Sequence, residues 1–212
     1  MVVEIKDVML TKNQATSDVI VVAGCSSVYV VASLIRVPVG WIIPIVVTVL
    51  FCYWGFGLRR RSHTWRDYGL RSDNFVAAGL PIGCFTFVGG VVIVGWAIFS
   101  GNSLARPELL ILLLIYPLWG FVQQLIFQGL LHRGLLVIAP SRSIALILNS
   151  AAFASVHISD WRVLVLTFIA GLFWSWFYQR QPNIWALGLS HGVLAALTYP
   201  LLLADNPLER AF

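Results

Sequence analysis

The stretch LLILLLIYPLWGFVQQLIFQGLL, Leu109–Leu131, decides how the rest of the chain is read. It carries no charged residue, and it exceeds the roughly 20 apolar residues that cross a hydrocarbon core of about 30 Å. Yet Gln123, Gln124 and Gln128 interrupt it. Polar side chains within a membrane are costly and mark either helix–helix hydrogen bonding or a site.

Working outward, the composition agrees with a membrane chain. Of 212 residues, 59% are hydrophobic and 11% charged, against about 25% charged in a soluble domain. Mean hydropathy is +0.86. Six further uncharged runs flank the first: Val19–Ile35, Val37–Leu58, Phe75–Ala105, Ser143–Val156, Val163–Gln179 and Gln181–Ala204. They predict an all-α polytopic transmembrane helix bundle of about seven helices. Phe75–Ala105 is longer than one crossing needs and Ser143–Val156 shorter, which leaves room for an eighth, re-entrant or surface helix. The expected organisation is a short cytoplasmic tail over 1–18, a single transmembrane helical domain over 19–204 and a short tail over 205–212.

Charge sets the orientation. Cytoplasmic loops collect Lys and Arg, and under seven spans ten of the 14 basic residues fall on the side of the N-terminus. The N-terminus is therefore expected in the cytoplasm and the C-terminus outside. The net charge of +5 reports this topology and an attraction to the lipid bilayer, not nucleic acid binding. The first 18 residues lack a signal-peptide core. VAGC, Val22–Cys25, is preceded by too few apolar residues to be a lipoprotein cleavage site. Cys25, Cys52 and Cys84 lie in separate runs without C-x-x-C spacing, so they suggest neither disulfides nor a thiolate metal site.

All nine acids are expected in tails, loops or span edges. The polar residues left inside are the three glutamines, Asn149, His157 and His191. Gln124, Gln128 and His132 recur every four residues, as do Asn149, Phe153 and His157, so each set follows one helix face. A turn near Pro140 folds the fourth and fifth runs into a hairpin. Gln123 lies 17 residues before Pro140 and His157 lies 17 after, which sets them at one depth. Pro117 and Gly120, just before the glutamines, fit a kink and a close backbone approach. Trp119, Trp174, Trp176 and Trp185 read as packing or interfacial aromatics.

QQLIFQG (Gln123–Gly129), FASVH (Phe153–His157) and HGVLA (His191–Ala195), in this order, resemble the CAAX-protease and bacteriocin-processing (CPBP, Abi) family of intramembrane metal-dependent endopeptidases. The resemblance covers about 67–199, and its motifs are E-E-x-x-x-R, F-x-x-x-H and H-x-x-x-N. It implies a water-activating position at Gln123, supporting positions at Gln124 and Gln128, and histidines at His157 and His191. Asn149 and Phe153 would support the pocket, and Ala195 stands at the asparagine position. It also implies a divalent metal, zinc, held by His157 and His191, a membrane-embedded or prenylated peptide or a lipid-like ligand as partner, and a bacterial or archaeal plasma membrane as location.

Four positions depart from the pattern: Gln123, Gln124, Gln128 and Ala195. A general base needs a titratable group near the working pH, which an amide lacks. A catalytic zinc takes three ligands from His, Cys and carboxylate, and the two histidines supply two. Three neutral amides keep the hydrogen bonding of two acids and an arginine without charge in the bilayer. The expected function is a CAAX-protease-like membrane protein without glutamate-dependent hydrolysis that binds a membrane-embedded ligand. The alternatives are a divergent metal-dependent endopeptidase using His157 or His191, and a lipid- or isoprenoid-modifying enzyme. Plain helix-joining hydrogen bonds remain the simplest account of the amides.

Overall fold

The computed structural model describes residues 10–60 and 63–210, and these hold helices and no strand. By length and composition, six helices among the described residues can cross a membrane: Lys12–Leu34, Gly40–Arg60, Phe75–Phe99, Glu108–Ile138, Trp161–Tyr178 and Ile184–Leu202. An all-α polytopic bundle is what the uncharged runs predict. The described chain falls into two compact units, 1–70 with 125–182 and 71–124 with 183–212.

The first unit contains α1 (Lys12–Leu34), α2 (Val39–Arg60), a π-helical stretch Leu125–His132, and three further helices. α1 starts early because Thr11 and Gln14 form a capping box, each side chain bonding the other's backbone N–H. Asp18, expected at the edge of a tail, therefore lies within the helix. It is fully buried, and its Oδ1 accepts a hydrogen bond from the Tyr53 hydroxyl at 2.6 Å. This puts a buried carboxylate inside the first candidate span, where the sequence reading expects none. A single 3-10 turn, Trp65–Tyr68, follows α2 and ends at Gly69, whose φ of 87° suits glycine.

The Leu125–His132 stretch is buried at every position. Helix α5 (Arg133–Ile138) continues it, a turn at 139–141 reverses the chain, and α6 (Arg142–Ser155) runs back. Phe127 and Phe153 lie thirteen residues on either side of Pro140, and their rings meet edge to face at 5.1 Å. Hairpin register is thus symmetric about Pro140 in this unit. At 14 residues, α6 is roughly 21 Å long and too short to cross, so it is missing from the candidate spans. A turn over 156–159 breaks the apolar run, and the Asp160 side chain caps the next helix, α7 (Trp161–Tyr178). Gly171 brings α7 against α6, within 3.3 Å of Ser150 Cα for an added Cβ.

The second unit packs α3 (Phe75–Phe99), α4 (Glu108–Gln124) and α8 (Ile184–Leu197). α3 stops at Phe99, short of the end of its uncharged run, and Gly101 turns the chain with φ 72°. Leu110, Leu114 and Leu118, each more than 70% exposed, form one stripe of α4, the face left for lipid. Its opposite face meets α8 at backbone distance. A Cβ on Gly120 would stand 2.6 Å from Gly188 O, one on Gly188 would stand 2.7 Å from Phe121 Cα, and one on Gly192 would overlap Pro117. Small residues permit such approach where lipid supplies no hydrophobic drive between helices.

Candidate functional site

In the second unit, the glycine seam sets the site. With α4 and α8 so close, Gln124 Nε2 comes to 3.4 Å from His191 Nδ1. Gln124 is 0% and His191 5% exposed, so the pair is buried. Phe121 stacks on Trp185 one turn away, at 4.7 Å. Gln123 is also buried. Gln124 Oε1 is buried without a hydrogen-bond partner among the described residues. An amide carries a donor and an acceptor on one plane and suits either neutral tautomer of His191, whereas a carboxylate could only accept. Ala195, one turn beyond His191, is half-buried and brings no polar side chain.

The start of α8 is fixed by Asn183. Its Oδ1 accepts from Ala186 N–H at 3.0 Å, while its Nδ2 donates to Arg71 O at 2.9 Å and to Asn74 Oδ1 at 2.8 Å. One buried side chain thereby caps the helix that carries His191 and ties it to the segment leading into α3.

In the first unit, the polar groups centre on Ser175, which the sequence reading passes over. Gln128 Nε2 donates to Ser175 Oγ at 3.2 Å and Asn149 Nδ2 at 2.9 Å. Ser150 Oγ lies 3.5 Å from Ser175 Oγ and donates to Leu146 O at 2.8 Å. Gln128, Asn149, Ser150 and Ser175 are all buried to within 1%. Gln128 Oε1 and Asn149 Oδ1 have no hydrogen-bond partner among the described residues. Four residues along both helices, Gln179 Nε2 meets His132 Nε2 at 3.0 Å and donates to Arg142 O at 3.0 Å. Gln124 and Gln128 thus have different partners, on α8 and α7. From Leu125 onward the backbone hydrogen-bonds i→i+5.

His157 Nδ1 lies 3.1 Å from the Phe153 carbonyl oxygen. A carbonyl can only accept, so a proton sits on Nδ1, and in the neutral imidazole Nε2 keeps its lone pair. This is how a backbone carbonyl prepares an imidazole to act as base or ligand. The Phe153 ring holds the imidazole edge to face at 5.3 Å and packs on Trp174 at 5.9 Å.

The zinc implied by the resemblance needs a third ligand beside His157 and His191. Among the described residues, no three His, Cys, Asp or Glu side chains gather in a group able to hold a metal ion. Near His191 the chain offers the Gln124 amide, a weak donor for zinc. Among the described residues of the second unit, those near His191 do not by themselves make up a three-ligand zinc site.

No curated protein and no solved structure matches the chain. Residues 105–197 match the family model described as type II CAAX prenyl endopeptidase Rce1-like, which supports the assignment of the chain to the CAAX-protease and bacteriocin-processing family.

Proposed function

We propose that this CAAX-protease-like integral membrane protein lacks the family's glutamate-dependent endopeptidase activity and uses its polar intramembrane residues to bind a membrane-embedded partner or lipid-like ligand. The observation that carries this reading is the buried Gln124–His191 contact. It puts a group that cannot take up a proton near neutral pH where the family motif has a carboxylate. In the second unit, the buried Gln124 carbonyl oxygen, which has no hydrogen-bond partner among the described residues, favours a ligand that donates a hydrogen bond over one that needs charge neutralised.

The test is cleavage of a prenylated C-terminal CAAX peptide by the purified chain in lipid nanodiscs, with added zinc. Wild type is expected to leave the peptide intact while binding it. Zinc-dependent cleavage abolished by His191→Ala would overturn the reading.

A second reading is favoured by the His157–Phe153 hydrogen bond, which leaves Nε2 able to take a proton. A hydrolase using His157 as base would cleave without added metal, and His157→Ala would stop it. The same assay separates the two.

A further inference from the structure

Along α3 and α8, within the second unit, runs an apolar groove of about 1030 Å³. Gly79, Gly83, Thr86 and Gly90 of α3 form one wall, and Ser190 and Val193 of α8 lie on the other. Nothing lies within 4 Å of an added Cβ on Gly79 or Gly83, so the groove is open at both. Its lining runs from Phe75 to Ile98, roughly 35 Å at 1.5 Å per residue. That is the height of a bilayer's hydrocarbon core, about 30 Å, and slightly more.

The two hydroxyls in the lining face each other, with Thr86 Oγ1 and Ser190 Oγ 2.7 Å apart, and Thr86 Oγ1 also lies 2.8 Å from Ile82 O. What remains for an occupant is hydrocarbon contact. Dimensions then choose between a helix and a single chain. Counting all the space between atoms in the groove, 1800 Å³ over this length gives a mean cross-section of roughly 50 Å². A helix with side chains is 10–12 Å across and needs roughly 80–110 Å². An extended hydrocarbon chain, whose width follows from carbon contacts of about 4 Å, fits.

We propose that this groove holds one acyl chain of a bilayer phospholipid, laid along α3 and α8 parallel to the helices. Left empty, the lining would lose its dispersion contacts on one side. A lipid tail is the molecule that surrounds the rim, where Val76, Leu80 and Phe87 are all more than 70% exposed. The assignment does not depend on the proposed role of Gln124 and His191.

The test reconstitutes the full chain in phosphatidylcholine vesicles containing phosphatidylcholine spin-labelled at mid-chain, and reads the motionally restricted lipid by electron paramagnetic resonance. Gly79→Leu/Gly83→Leu places two side chains in the groove at positions where nothing clashes, with circular dichroism as the check on folding. The expected result is a loss of about one restricted lipid per chain relative to wild type, and an unchanged count overturns the proposal. Native mass spectrometry of wild type released from the same vesicles should retain about one phosphatidylcholine per chain, and retention of none overturns it whatever the variant does. A wild-type dimer that the double variant converts to monomer would assign the groove to a second copy and also overturns it.

Discussion

Replacing Gly192 with alanine tests whether the α4–α8 seam holds the second unit together. The added methyl would overlap Cα and N of Pro117 and C of Tyr116. All three are backbone atoms, one pair of them in a proline ring, so no rotamer change relieves the clash. Ordinary carbon contact is 3.5–4.0 Å, so the helices must separate by roughly 1 Å or more. Overpacking typically costs about 1–3 kcal/mol, and rigid backbone on both sides puts this case near the upper end. For a chain of this size, about 3 kcal/mol corresponds to a fall of roughly 6–12 °C in Tm. The assay is thermal unfolding in detergent followed by circular dichroism. Gly83→Ala is the control: nothing lies within 4 Å of the new Cβ, and exchanging glycine for alanine in a helix should stabilise by about 1 kcal/mol. If Gly192→Ala melts with wild type while Gly83→Ala behaves as expected, the close backbone approach does not hold α4 to α8, and the Gln124–His191 contact loses its structural basis.

Ser175→Ala removes the acceptor shared by Gln128 and Asn149; with interhelical bonds in membranes worth about 0.6–2 kcal/mol each, the variant should lose roughly 1–4 kcal/mol, and an unchanged Tm would show that the cluster is not structural. A cysteine at the exposed Thr64 should resist membrane-impermeant thiol reagents applied to intact cells, as expected for a basic loop on the cytoplasmic side; rapid labelling reverses the topology. The Asp160 carboxyl is held below its ordinary range, chiefly by the hydrogen bond from the Arg162 side chain. Its contribution should therefore be full above about pH 4 and fade as pH falls through the lowered value. Thermal unfolding of Asp160→Asn should differ from wild type at neutral pH and converge with it in acid, and a difference that ignores pH would refute the assignment.

The span pattern was legible because a bilayer demands length and apolarity of each crossing helix, and both are properties of a linear string. Where the sequence reading and the structure part, local interactions outweigh hydropathy. Thr11 and Gln14 start α1 ahead of the apolar run and draw Asp18 into the helix, where the Tyr53 hydroxyl donates to its Oδ1. The turn at 156–159 stops the helix of the already short fifth run at Ser155, so the neutral residues through Ser159 do not extend it. The positions of the glutamines and histidines could be read as motif-like spacing, but their partners could not. Gln124 and His191 are 67 residues apart in sequence, and they meet because three glycines let two backbones approach, which no pairwise spacing encodes. Ser175 sits in an aromatic segment with no pattern around it, and it matters because α6, α7 and the π-helical stretch converge on its hydroxyl. The i→i+5 hydrogen bonding that begins at Leu125 is likewise a choice of the packed helix. By itself, the sequence determined the solvent for each helix and the residue types inside it; tertiary structure alone decided which polar groups face one another, because contact depends on how closely helices pack and where their periodicity shifts.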